Sequence, residues 1–189
     1  MNLEHLSLTG CPKVTHHGVW AIVSSSTNGI LGLALEGVWH RFVSCSPIFL
    51  SSAFTSGFQD IAVFADLCVS SGALRRLRSV TLTIYFQMSL MDWVKDVVHL
   101  LSTSPLEIFQ IYSAGLSLDS PISDELWSQL ILTHGKRFLR ISVHRILISW
   151  EAIHSICVQC AKLEQLFLVV DPSSLVRILT SNSFWTCWN

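Results

Sequence analysis

Two cysteines, Cys157 and Cys160, have the clearest spacing for metal or redox chemistry in this sequence, a single CxxC. A structural zinc site needs four ligands, and the sequence contains no second CxxC and no HxxxH. Two cysteines three residues apart on a helix also serve as small core residues. We therefore expect Cys157 and Cys160 to be reduced core residues, and we predict no bound metal or cofactor.

Residues suited to acid–base catalysis occur as the adjacent pairs His16-His17 and Asp124-Glu125. The histidines follow Thr15 at a predicted helix start, where exposed polar residues are common, and acidic residues in a first helical turn are stabilised by the helix dipole. The motifs GxGxxG, GxxxxGK[ST], HExxH and GxSxG are absent from the sequence. We predict that the protein is not an enzyme.

The charge balance argues against a nucleic-acid partner. Lysine and arginine number 12 and acidic residues 13, giving a net charge of −1, whereas phosphate binding requires clustered cations. The densest basic run, Arg75, Arg76 and Arg78, is small enough to be a solvated turn.

Hydropathy raises the question of a membrane, since 50% of the residues are hydrophobic and 13% are charged. The uncharged windows 18–35 and 42–59 are both interrupted by clustered serines, and neither supplies the run of about 20 apolar residues that a spanning helix needs. The first ten residues lack the basic and apolar regions of a signal peptide. We predict an intracellular protein, cytoplasmic or nuclear, that does not bind membranes.

One apolar pattern, LxxLxL, recurs six times and indicates the elements that position these side chains. Its last two members alternate with other residues, which is the period of a strand with one buried face. Apolar residues at helical spacing follow, as at Val94, Val97, Val98 and Leu101. Strands joined through helices are parallel, so we predict a single α/β domain over 1–189. The six copies begin at Leu3, Ile30, Leu77, Leu106, Phe138 and Leu163.

Helix starts and an irregular spacing complete the pattern. Thr15, Ser123 and Ser149 stand where an N-cap hydroxyl is expected. The step between the third motif positions Leu35 and Leu82 is 47 residues, against 25 to 32 for the other steps. We predict a surface insertion at 37–57, because no LxxLxL occurs there; a degenerate extra repeat is the alternative.

The first copy, LEHLSLTGCPKVTHHGVWAIV at residues 3–23, resembles the cysteine-containing class of leucine-rich repeat, whose pattern runs LxxLxLxxCxxITxxGLxxL. The later copies keep the strand motif and helical tail but lose the cysteine. The resemblance implies a leucine-rich-repeat solenoid of about six repeats, with parallel strands on the concave face and helices on the convex face. The matching residues are Leu3, Leu6, Leu8, Cys11, Val14, Thr15, Gly18, Val19 and Ile22.

Repeats of this class are typical of F-box and leucine-rich-repeat proteins, in which an F-box docks onto a cullin-type ubiquitin ligase and the solenoid selects the substrate. The resemblance thus implies a protein–protein interaction module, the substrate-recognition part of such a ligase. Met1 lies two residues before the first motif, so contact with ligase components would depend on an F-box absent from this chain. A ligase-independent scaffold and a truncated, non-functional fragment of a longer protein are the alternatives, the latter because atypical capping repeats are missing from both ends.

The alternation also predicts which strand residues point away from the core; we call this the outward strand face. On the first three predicted strands the outward side chains are small and polar, whereas the last three strands contain larger outward side chains. Tyrosine and arginine are enriched among interface hot spots, so we expect a protein partner to bind the C-terminal half. These candidate residues, called the C-terminal patch below, are Gln110, Tyr112, Arg140, His144, Gln165 and Phe167.

Overall fold

The computed structural model describes residues 2–9, 11, 14–36, 61–85, 90–114 and 124–169. Within these residues six strands alternate with five helices, as the repeated motif predicts. Each of the six LxxLxL copies coincides with one strand. In chain order the elements are β1 (His5–Thr9), α1 (His16–Ser24), β2 (Gly32–Glu36), α2 (Ile61–Ser71), β3 (Ser79–Tyr85), α3 (Leu90–Leu101), β4 (Ile108–Ala114), α4 (Asp124–His134), β5 (Arg140–His144), α5 (Trp150–Gln159) and β6 (Gln165–Val169).

All six strands form one parallel sheet in the order β1-β2-β3-β4-β5-β6, so each strand pairs with its neighbour in the chain. The register aligns equivalent motif positions across the whole sheet. This alignment agrees with the predicted inward and outward positions, since the same face of every strand carries the motif residues. The row through the second motif position is Leu6, Leu33, Val80, Phe109, Ile141 and Leu166.

One backbone arrangement recurs at all five junctions between neighbouring strands. The carbonyl of the residue that follows the first motif position accepts two successive N–H groups from the next unit. At the first junction, Leu31 and Gly32 donate to the Glu4 oxygen at 2.7 and 3.1 Å. Satisfying these backbone groups locally fixes the spacing of successive units. The other accepting carbonyls belong to Leu31, Arg78, Glu107 and Leu139.

The core lies between the sheet and the helices. Inward strand residues such as Leu35, Val80 and Ile111 are at most 1% exposed, and they join one apolar cluster with helix residues such as Phe64 and Trp127. Neighbouring helices contact each other in chain order. On the two outer strands of the described sheet, β1 and β6, the inward residues are only partly buried.

Two of the three predicted N-caps are confirmed. The Thr15 side chain accepts a hydrogen bond from Gly18 N at 3.1 Å, and the Ser149 side chain accepts one from Ala152 N at 3.0 Å. Ser123 lies outside the described residues.

The predicted insertion at 37–57 also lies outside the described residues, which resume at Ile61 with α2. In the part of the chain that the structure describes, no helix combines the length and apolar character needed to cross a bilayer.

Candidate protein-binding face

The outward strand face is built by the same register that aligns the core. Three rows cross the C-terminal half of the sheet, and each contains one residue from β4, β5 and β6. Ile108, Arg140 and Gln165 form the first row. Gln110, Ser142 and Phe167 form the second, and Tyr112, His144 and Val169 form the third. All six predicted patch residues therefore lie on adjacent strands.

Tyr112 and His144 form an aromatic stack at one end of the patch. Their ring centroids are 4.3 Å apart and their planes differ by 16°. They are directly opposed across β4 and β5, where side chains of paired strands lie close enough to interact. Burial lowers the pKa of His144 from its ordinary 6.5, so the stacked imidazole is predominantly neutral at pH 7.

Arg140 and Phe167 meet diagonally across β5 and β6. The Arg140 guanidinium carbon lies 5.9 Å from the centre of the Phe167 ring, within the range of a cation–π contact. Phe167 remains 48% exposed and Val169, two residues on, 47%. Val169 therefore extends the apolar surface beyond the six predicted residues, and its alternation with Phe167 is the sequence signal for it. Gln165, beside Arg140 in the first row, is exposed.

The side chains of the middle row are less exposed to solvent than outward strand positions were expected to be. The Thr81 hydroxyl donates to Gln110 Oε1 at 3.0 Å, which holds the glutamine sideways against β3. Thr81 is 9% exposed and Ser142 only 2%. The expectation that outward residues face solvent is therefore wrong for these two positions. The reason is size: a short side chain on a sheet is covered by the longer side chains of the neighbouring strands.

The two CxxC cysteines have different environments. Cys160 is buried, as predicted, and burial together with the neighbouring Cys157 raises the pKa of its thiol to about 11. Cys157 is exposed, so its assignment to the core is wrong. The buried side of α5 carries Ala152 and Ile156 at a spacing of four, and Cys157 is rotated about 100° from Ile156. No group of three or more potential metal ligands exists among the described residues.

A second place where side chains could do chemistry is a depression of about 500 Å³ on α2 and α3, lined in part by Leu67. Its polar group is the pair Asp66–His99, with Oδ1 and Nε2 3.0 Å apart. The two serine hydroxyls near the pair, those of Ser70 and Ser102, donate to backbone carbonyls. The Asp66 carboxylate thus orients the His99 imidazole. Neither serine hydroxyl is hydrogen-bonded to that imidazole. Sequence reasoning missed this pair, because no short motif joins residues 33 apart.

Comparison with protein-family models, with curated proteins and with solved structures found no match.

Proposed function

We propose that the chain is a leucine-rich-repeat solenoid that binds another protein through its outward strand face, which would be concave. Three observations support the solenoid: the aligned motif rows, the identical carbonyl junctions between units, and the contact of each described helix with the next helix in the chain. Stacked repeats of this kind commonly present an extended binding surface.

The observation that carries the binding function is the C-terminal patch itself. Tyr112, His144, Arg140 and Phe167 are linked in two cross-strand contacts and lie on three adjacent strands. Phe167 is exposed and the other three are partly buried, and aromatic and arginine side chains in one accessible cluster are the usual composition of an interface hot spot. None of the four belongs to the buried apolar cluster, so binding and stability can be separated by mutation.

We test this with a variant in which Tyr112, Arg140, His144 and Phe167 are all replaced by alanine. A control variant replaces Leu132 and Val158, two exposed apolar helix residues outside the patch. Tagged proteins are cross-linked in cells, and captured partners are identified by mass spectrometry.

We expect the quadruple variant to lose the partners that wild type and the control variant retain, with superimposable thermal melts by circular dichroism. Truncation of a hot-spot residue costs roughly 2 kcal/mol or more of binding free energy, so loss of four should abolish capture. An unchanged partner list for the quadruple variant contradicts the proposal.

We further propose that this binding selects substrates for a cullin-type ubiquitin ligase inside the cell. The support is the resemblance of residues 3–23 to the cysteine-containing repeat class. A reading frame upstream of the Met1 codon that encodes an F-box, together with a cullin among the captured proteins, is the expected result. Specific partners without a cullin would indicate a ligase-independent scaffold instead. Aggregation of the purified chain without any specific partner would indicate a non-functional fragment.

A further inference from the structure

We propose that the C-terminal patch recognises an extended peptide segment of its partner, in which a carboxylate side chain lies beside apolar side chains. This inference rests on the proposed function, because it assigns a ligand chemistry to the same surface.

The charge of the patch favours an acidic ligand. The outward positions of β4, β5 and β6 contain one charged side chain, the cation Arg140, and no aspartate or glutamate. Arg140 forms no ion pair within the described residues, and Glu107, next to the first row, is paired with Arg78 at 3.3 Å. The Arg140 guanidinium is held over the Phe167 ring, which leaves its N–H donors for a ligand. A planar guanidinium is well suited to bind a carboxylate through two hydrogen bonds.

The remainder of the patch favours apolar groups beside that carboxylate. Phe167 and Val169 lie on the same face of β6 and are each about half exposed. Ser142, at the centre of the patch, is 2% exposed and is covered by longer side chains. Arg140 and His144 flank it along β5. A ligand at the centre of the patch would therefore contact these longer side chains and not Ser142 itself.

The dimensions match a short extended segment. Strands in a sheet lie about 4.8 Å apart, so the patch is roughly 10 Å wide from β4 to β6. Arg140 and His144 are four residues apart on β5, a span of about 13 Å. An extended ligand of about four residues covers that distance. A carboxylate bound at Arg140 would then have an apolar neighbour on Phe167 and a second, three or four residues away, on the Tyr112–His144 stack.

The experiment selects random eight-residue peptides displayed on phage against immobilised full-length protein. Selections are run in parallel on wild type, Arg140→Gln and Arg75→Gln. The last variant removes the same charge from an exposed residue in the α2–β3 connection. The most enriched peptide is synthesised together with a copy in which Asp and Glu become Asn and Gln, and both are measured by fluorescence anisotropy. A uridine oligonucleotide is measured in the same assay.

We expect enriched peptides to contain an acidic residue next to Leu, Phe or Tyr. We expect the amide copy, and the Arg140→Gln protein, to bind at least tenfold more weakly, while Arg75→Gln binds as wild type does. Added salt should weaken binding of the acidic peptide more than binding of its amide copy, because an exposed ion pair is screened.

Several outcomes overturn the inference: no enrichment, enrichment without acidic residues, equal binding of the amide copy, or tighter binding of the oligonucleotide. If the quadruple variant loses its cellular partners while the acidic and amide peptides bind equally, the proposed function stands and the ligand chemistry assigned here is wrong. If the selections succeed but the variant keeps every cellular partner, the proposed function fails at this surface.

Discussion

Acidification should destabilise this protein through one buried histidine, His134. It is the last residue of α4, it is 2% exposed, and its ring lies 5.9 Å from that of Phe138. Burial, with a further contribution from the positive charge of Arg137, lowers its pKa from 6.5 to about 4. Its Nδ1 is a buried atom without a hydrogen-bond partner in the described structure. A proton added there would place a charge in apolar surroundings.

The sign follows from proton binding in the two states. Between pH 6.5 and pH 4 the unfolded chain binds this proton and the folded chain does not, so stability is complete above pH 6.5 and falls as the pH approaches 4. A shift of this size corresponds to about 3 kcal/mol in total, at about 1.4 kcal/mol per pH unit. By pH 5 the loss should reach about 2 kcal/mol, a large part of the stability of an ordinary domain.

Urea unfolding followed by circular dichroism between pH 7.5 and pH 4.5 measures this loss. We expect His134→Leu to flatten most of the decline, leaving a weak slope from His144, whose pKa is lowered in the same direction by burial. His154→Leu makes the same change at an exposed position and should keep the wild-type slope. A wild-type free energy that is constant from pH 7.5 to pH 5, or a decline of equal size in His134→Leu, would refute the reasoning.

Three further predictions concern stability, measured by thermal or urea unfolding at neutral pH. Leu33→Asp should unfold the chain, because it places a charge at a 2% exposed position at a cost of several kcal/mol, whereas Leu166→Asp, at a half-buried position on β6, should cost less. Ser149→Ala should cost about 1 kcal/mol through loss of the α5 N-cap. Gly135→Ala should destabilise, because the new Cβ would lie 2.5 Å from a backbone oxygen one turn earlier, whereas Gly18→Ala meets its nearest atom at 3.4 Å and should be tolerated. Equal unfolding midpoints for Leu33→Asp and Leu166→Asp, or for Gly135→Ala and Gly18→Ala, would contradict the environments assigned to these residues.

The strand framework could be predicted from sequence because each unit repeats the same local pattern. A motif such as Leu77-Val80-Leu82 combines a strand alternation with a fixed offset to the preceding turn, and repetition six times makes a chance match improbable. Helix starts were predictable where a capping hydroxyl precedes the apolar spacing, as at Thr15 and Ser149. These signals are local, and the parallel register follows from their repetition.

Features that depend on neighbouring strands could not be predicted in the same way. The alternation placed Ser142 on the outward face, but its near-complete burial depends on the longer side chains around it. The diagonal contact of Arg140 with Phe167 requires the rotamers of both residues. For Cys157, a spacing of three from Cys160 was compatible with a shared buried face, but the helix ends at Gln159 and only the second cysteine turns inward.

The repeated junctions would allow one half of the outward strand face to carry the proposed binding site without weakening the fold. Each unit is held to the next by a backbone carbonyl that accepts two N–H groups and by inward motif residues, and neither depends on the outward side chains. The side chains at outward positions are therefore free to differ from strand to strand. In β1 and β2 they include Ser7 and Ala34, whereas in β5 and β6 they include Arg140 and Phe167. A surface that keeps the same backbone spacing but changes from small to large side chains concentrates its capacity for side-chain contacts at one end, and this is the end at which we propose that a partner binds.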